Sequence, residues 1–165
     1  MAEYLINKYL KKRTKRPVSD YYSDELLEAV DEYVSFVIGE IEEAKRICSC
    51  PVFTVEQRVD ASEYVDECFG TADMVIVTDK VAHVIDLKLG KGVQVFAEEN
   101  PQLMIYGLGI LGMAEMLYDV ETVRLTIFQP RLNNSSTWDI APEALKAWGE
   151  EVLKPRGAMA LMGAG

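Results

Sequence analysis

Apolar residues along the chain first follow a helical spacing and then a strand spacing. Residues 1–12 (MAEYLINKYLKK) have the helical pattern, Pro17 breaks it, and 17–23 (PVSDYYS) reads as a connection. Ser23 is placed as a helix N-cap, with Asp24 and Glu25 in the first turn, where acids suit the helix dipole. Leu26, Val30, Tyr33, Val37, Ile41 and Ala44 recur at three- and four-residue steps. They predict an amphipathic helix over 24–47, closed by Pro51. The period then becomes that of strands. Val52–Val59 is the first, an acidic stretch covers 60–67, and 71–77 and 81–87 are two β-branched runs. The gap between those runs, Thr78-Asp79-Lys80, predicts a hairpin without the favoured Asn-Gly or Asp-Gly turn.

Gly90 and Gly92 mark a loop. Asn100 then caps a helix whose first residue is Pro101. Residues 101–118 are apolar nearly all round, the pattern of a buried helix. A fourth strand, 123–129, is stopped by Pro130. Residues 133–137 read as a loop, and 142–153 as a last helix with Trp148 on its apolar side. The ending GAMALMGAG has no pattern and is expected to be a flexible tail over 156–165. The order predicts an α/β fold with a mixed sheet flanked by helices. One domain is expected over 1–155, with its core at about 24–130. No G-x-G-x-x-G follows the first strand, which argues against a dinucleotide-binding fold.

Composition narrows the function classes. Lys and Arg number 17 against 27 Asp and Glu, a net charge of −10, which argues against sequence-independent coating of nucleic acid. An acidic site filled by a metal ion remains compatible with it. Six cations (Lys8, Lys11, Lys12, Arg13, Lys15 and Arg16) fall within nine positions, either as a solvated helix end or as a local phosphate contact. That cluster follows the apolar residues, the reverse of a secretory signal, and no apolar run is long enough to span a membrane. A cytoplasmic protein is the expectation. Three cysteines with one C-x-C pair make a poor disulfide framework or zinc site, so reduced thiols are expected.

The hairpin carries the candidate chemistry. With Asp79 and Lys80 as the turn, Asp73 falls opposite Asp86, with Cβ atoms about 4.5–5.5 Å apart. Two carboxylates that close repel unless a cation lies between them. Lys88, two residues beyond Asp86, shares its face of the strand. Two acids able to hold Mg²⁺ thus stand beside a lysine. Asp is disfavoured inside strands, and these two interrupt the apolar runs TADMVIV and VIDLKL. Glu56, in the first strand, is either a third acid or a solvent-facing residue. His83 falls on the face away from Asp86 and is a poor general base for the pair. Gln102 and Tyr106 are four apart on one helix face.

Gly70-Thr-Ala-Asp73, Ile85-Asp86-Leu-Lys88 and Gln102-x-x-x-Tyr106, in this order and spacing, resemble the RecB-like branch of the PD-(D/E)XK nucleases. The string DLKLGKGVQVFAEENPQLMIYGLG is similar to a phage- and prophage-borne part of that branch, often described only as a protein of unknown function. The resemblance covers about residues 24–130 and implies a restriction-endonuclease-like α-β-β-β-α-β core. It implies Asp73, Asp86 and the Leu87 carbonyl as ligands of Mg²⁺ or Mn²⁺, with Glu56 as a further ligand or water holder. It implies that Lys88 activates water and steadies phosphate charge, and that Gln102 and Tyr106 bind the substrate strand or brace the site. The implied activity is DNA phosphodiester hydrolysis, exonuclease ahead of endonuclease, in phage recombination or processing. Phage recombination or replication proteins are implied partners, and ring-shaped oligomers occur among some nucleases of the fold. Members of the branch commonly carry a histidine motif upstream of the core helix, whereas the single His here is His83. Relatives also extend beyond the 130–165 region, so the chain is expected to be a domain truncated at both ends, a fragment or a natural short form. The alternative is a catalytically incomplete nuclease-like domain that binds DNA or a partner protein.

Overall fold

The computed structural model describes residues 1–163. Five strands form one sheet in the order β1-β2-β3-β4-β5. They are β1 (Val52–Asp60), β2 (Phe69–Val77), β3 (Val81–Leu87), β4 (Thr122–Gln129) and β5 (Asn134–Ile140). β3 and β4 are parallel, and the other neighbours are antiparallel. The helix α3 (Pro101–Ala114) makes the crossover between the parallel pair. This is the expected α/β architecture, a mixed sheet flanked by helices and consistent with a restriction-endonuclease-like fold.

The helix α1 (Ala2–Tyr9) packs on α2 (Asp24–Ile47), and α2 covers one face of the sheet. Ser23 Oγ accepts from Leu26 N–H at 3.2 Å, and Lys45 and Arg46 occupy the last turn, so both ends of α2 suit its dipole. Val30, Tyr33, Val37 and Ile41 meet Met74, Ile76 and Ile85 beneath α2. On the other face Leu103, Leu108 and Leu111 of α3 meet Val75, Val84 and Leu125. Asn100 Oδ1 accepts from Leu103 N–H at 3.2 Å, as its place before Pro101 leads one to expect. A Cβ on Gly109 would lie 2.3 Å from Val59 and 3.0 Å from the Asp60 carbonyl, so only glycine lets α3 approach β1 this closely.

Three expectations change. Of the expected loop 133–137, only Asn133 is in a turn: 134–137 begin β5, whose residues alternate between half-buried and exposed. Polar Asn, Ser and Thr fill this edge strand, and that hid its period. Pro130 opens the tight turn into it, with Asn133 left-handed at φ 49°. The crossover helix ends at Ala114 instead of 118, although Tyr118 N–H still donates to the Ala114 carbonyl at 2.9 Å. At the other end, α4 (Pro142–Trp148) passes through a widened π-type turn at Gly149–Leu153 into α5 (Lys154–Gly163). The expected flexible tail is therefore helical as far as Gly163, and 164–165 lie outside the described residues.

The connection from β3 to α3 is tied by side chains to the β4–β5 hairpin. Gln129 Oε1 accepts from Val95 N–H at 2.8 Å, and Ser136 Oγ from Ala97 N–H at 2.9 Å. Asn134 Nδ2 donates to the Val95 carbonyl at 2.8 Å, and Arg131 Nη1 to the Leu89 carbonyl at 3.0 Å.

Candidate functional site

The β2–β3 hairpin has the two-residue Asp79-Lys80 turn. Thr78 N–H donates to the Val81 carbonyl at 2.9 Å, and Val81 N–H to Thr78 Oγ1 at 3.1 Å. The register runs Val77↔Ala82, Ile76↔His83, Val75↔Val84 and Met74↔Ile85. Continued one step, it sets Asp73 opposite Asp86. The backbone ladder stops before that step. Asp73 Oδ2 instead accepts from Leu87 N–H at 2.7 Å, while Lys88 N–H donates to the Phe128 carbonyl of β4 at 2.9 Å. β3 therefore leaves β2 and continues beside β4, and the sheet opens where the two aspartates lie.

A third acid shares their row. In the β1–β2 register Glu56 lies between the pairs Val55↔Met74 and Gln57↔Ala72, and so opposite Asp73. Its φ is 51°, left-handed and unfavourable for a glutamate. The reason lies in the packing. Val55 joins the core beneath α2, while Val59, four residues on, joins the core beneath α3. In β2 Met74 faces α2, while Ala72 packs with the α3 core. Strict alternation would keep each pair on one face. Both strands therefore change phase at the Glu56–Asp73 row, and strain at such a row is the pattern of functional sites.

Asp73 ionises at about 6. Burial is the main cause; the Leu87 N–H bond opposes it, the Asp86 and Glu56 carboxylates reinforce it, and Lys88 lowers it. Asp86 is 5% exposed. Its Oδ2 is ion-paired with Lys88 Nζ at 3.0 Å, yet this buried carboxylate oxygen accepts no hydrogen bond. Lys88 Nζ instead donates to Gln102 Oε1 at 2.9 Å, and Gln102 Nε2 donates to Tyr106 OH at 3.2 Å. A Cβ on Gly70 would lie 2.5 Å from Tyr106 Cε1, so the glycine of the Gly70-Thr-Ala-Asp73 string makes room for that ring. Glu56 is exposed, and its carboxyl titrates above the usual range through partial burial and the nearby Glu3.

Tyr33 of α2 was not among the expected site residues. It is 1% exposed, and its hydroxyl has no hydrogen-bond partner. Burial, then the carboxylates of Asp73, Asp86 and Glu56, hold its ionisation well above the usual phenol range. Its place in the 26–30–33–37–41 stripe marked it as core. The signal available was that it is the one hydroxyl in an otherwise apolar stripe. His83 lies apart from the pair, as expected: its Nε2 is 2.8 Å from Thr126 Oγ1, and its Nδ1 is 3.5 Å from Glu40. Burial, with Arg124 nearby, depresses its pKa to about 3.

Among the described residues no three His, Cys, Asp or Glu side chains gather closely enough to hold a metal ion. The pair with the Leu87 carbonyl is still a fitting oxygen set, since Mg²⁺ retains waters and takes one or two carboxylates. The buried Asp86 oxygen that accepts no hydrogen bond, ion-paired with Lys88, is open to a further cation. Cys48, Cys50 and Cys68 are all free thiols. No helix among the described residues is long and apolar enough to cross a membrane.

The crystal structure of SSO0001 aligns at a TM-score of 0.30 and 15% identity, over 90% of this chain and 82% of that chain, too weakly to carry an argument. A family model matches the whole length: over residues 1–165 the chain belongs to the family described as "Protein of unknown function (DUF2800)".

Proposed function

We propose that the chain is a Mg²⁺- or Mn²⁺-dependent deoxyribonuclease of the RecB-like PD-(D/E)XK type, acting in the cytoplasm in phage or prophage recombination or DNA processing. One observation carries the reading: a buried Asp86 oxygen that accepts no hydrogen bond, next in register to Asp73 and ion-paired with Lys88, which Gln102 holds. A bound divalent ion supplies Lewis-acid polarisation of phosphate and a more acidic water. Asp73 and Asp86 hold that charge, with the Leu87 carbonyl on the strand between Asp86 and Lys88. Lys88 donates to the phosphate oxygens, where charge develops. Gln102 orients the Lys88 ammonium, and Tyr106 braces Gln102. Phage recombination or replication proteins and self-association are natural partners for such an activity.

A second reading is favoured by the absence, among the described residues, of a gathered three-acid group. It is a nuclease-like domain that binds DNA or a protein without cutting. Calorimetric titration with Mn²⁺ of the wild type and Asp86→Ala, followed by cleavage of linear and circular DNA, separates the two. The enzyme reading expects binding that Asp86→Ala abolishes. It also expects Lys88→Ala to keep the metal and lose at least about a hundredfold in rate. Wild-type protein that binds no Mn²⁺ and leaves DNA intact sinks the enzyme reading and leaves the binding domain.

A further inference from the structure

The loop between α1 and α2 holds the densest group of cations in an acidic chain, and its start is fixed. α1 ends in a Schellman turn: Lys12 N–H donates to the Asn7 carbonyl at 2.9 Å and Lys11 N–H to the Lys8 carbonyl at 3.1 Å. Lys11 takes the left-handed place usually given to glycine, at φ 57°. Lys12 Nζ donates to the Phe53 carbonyl on the outer strand β1 at 2.6 Å, pinning the loop to the sheet. Phe53 is three residues before Glu56, about 10 Å along a strand. α1 also packs against β1, the strand that carries Glu56.

Among the described residues most exposed cations outside this segment are paired with acids; Arg58, which lies over the Phe69 ring, and Arg156 are not. Lys45, Arg46, Lys80, Lys91, Lys146 and Lys154 each reach an acid within 3.0 Å. Among the described residues Lys11, Arg13, Lys15 and Arg16 form no ion pair, and all four are exposed. Arg13, Thr14 and Lys15 also line a polar recess with Glu3, Tyr4 and Asn7.

We propose that residues 11–16 are a phosphate track along which a nucleic-acid strand runs into the Glu56–Asp73–Asp86 row. This rests on the nuclease reading above and specifies its substrate as an extended polyanion rather than a small phosphate ester. At about 3.4 Å of rise per nucleotide, the interval from the Lys12 anchor to the acid row spans about three nucleotides. A ligand with one phosphate cannot occupy both ends. Thr14 and Asn7 add neutral donors to the cations, the usual mixture in contacts to a phosphate backbone.

The test neutralises Lys11, Arg13, Lys15 and Arg16 to Gln in one variant and leaves Lys12, because it anchors β1. A variant with Lys146→Gln and Lys154→Gln controls for charge away from the loop. Fluorescence anisotropy with a labelled DNA oligonucleotide, in Ca²⁺ and over a salt series, reads binding. Hydrolysis of bis(p-nitrophenyl) phosphate in Mn²⁺ reads the acid row alone. The track predicts at least about a tenfold loss of DNA affinity and a salt slope smaller by about 3, with ester hydrolysis and the control variant unchanged. Unchanged DNA affinity overturns the proposal. So does an equal fall in both readouts, which would make the loop a support of the site. Binding to anionic vesicles in place of DNA overturns it in favour of a membrane contact. If the wild type binds DNA through the loop but hydrolyses neither DNA nor ester, the track stands and the catalytic reading fails.

Discussion

Asp73→Asn is expected to make the metal-free protein more stable at pH 8. Asp73 ionises at about 6 in the fold, against 3.8 for a free aspartate side chain, so its charged form is disfavoured by folding. Two units correspond to at most about 3 kcal/mol. Asp73 is only partly buried, and solvent screening reduces this to about 1.5 kcal/mol. An amide oxygen still accepts from Leu87 N–H, but a neutral acceptor forfeits about 0.5 kcal/mol. A net gain of about 1 kcal/mol remains, or roughly 2–4 °C in Tm for a chain of this size. The sign follows from linkage. Between pH 4 and 6 the native state holds a proton that the unfolded state has lost, so wild-type stability falls as pH rises through that window. The advantage of Asn is thus complete at pH 8, shrinks as pH falls through 6, and is gone near pH 4. Urea unfolding at both ends of the range measures it. Mn²⁺ at about 100 times its Kd adds about 2.7 kcal/mol to the wild type and nothing to the variant, so the order of stabilities reverses. A variant less stable than wild type at pH 8, or a difference independent of pH, refutes the reasoning, because Asp73 would then be an ordinary hydrogen-bonding residue.

Gly70→Ala places a methyl 2.5 Å from the Tyr106 ring. It should lower stability by about 1–2 kcal/mol and reduce kcat severalfold while sparing Mn²⁺ affinity; calorimetry beside a nuclease assay checks the split. Lys11→Gly relieves a left-handed lysine and should stabilise the fold by about 0.5–1 kcal/mol in urea, unless the φ of 57° is not held in solution. His83 protonates near 3 in the fold and near 6.5 unfolded, so its contribution is full above pH 6.5 and lost as pH falls below that. His83→Gln should flatten the acid limb of a stability–pH curve, and an unaltered limb would count against the buried neutral imidazole.

Much of this fold was legible because its signals are local. Ser23 and Asn100 cap where their side chains allow, and the β2–β3 register follows from a two-residue gap between two β-branched runs. The opposition of Asp73 and Asp86 came with that register. What escaped depends on contacts distant in sequence. β5 is polar because an outer strand needs few apolar residues, and its pairing to β4 is visible only in three dimensions. The phase change at Glu56 arises from two cores competing for one strand, which no residue within β1 announces. Tyr33 was placed on the correct face of α2, but the destination of its hydroxyl depends on strands forty and more residues away.

The ties from Gln129, Asn134 and Ser136 to residues 93–97 give β5 a significance beyond pairing. The segment they hold joins Lys88 to Gln102, and the ends of that segment meet at 2.9 Å. β5 is outermost in the sheet, two strands from Asp86, and outer strands fray first. Each opening of this margin frees Val95 and Ala97 and slackens the approach of glutamine to lysine. The order of the acidic centre is therefore governed from the rim: slow amide exchange at Val95 and Ala97 should rise and fall with that of β5 rather than with the helix that follows them. A molecule clasping the free side of β5 would tighten the centre without touching it.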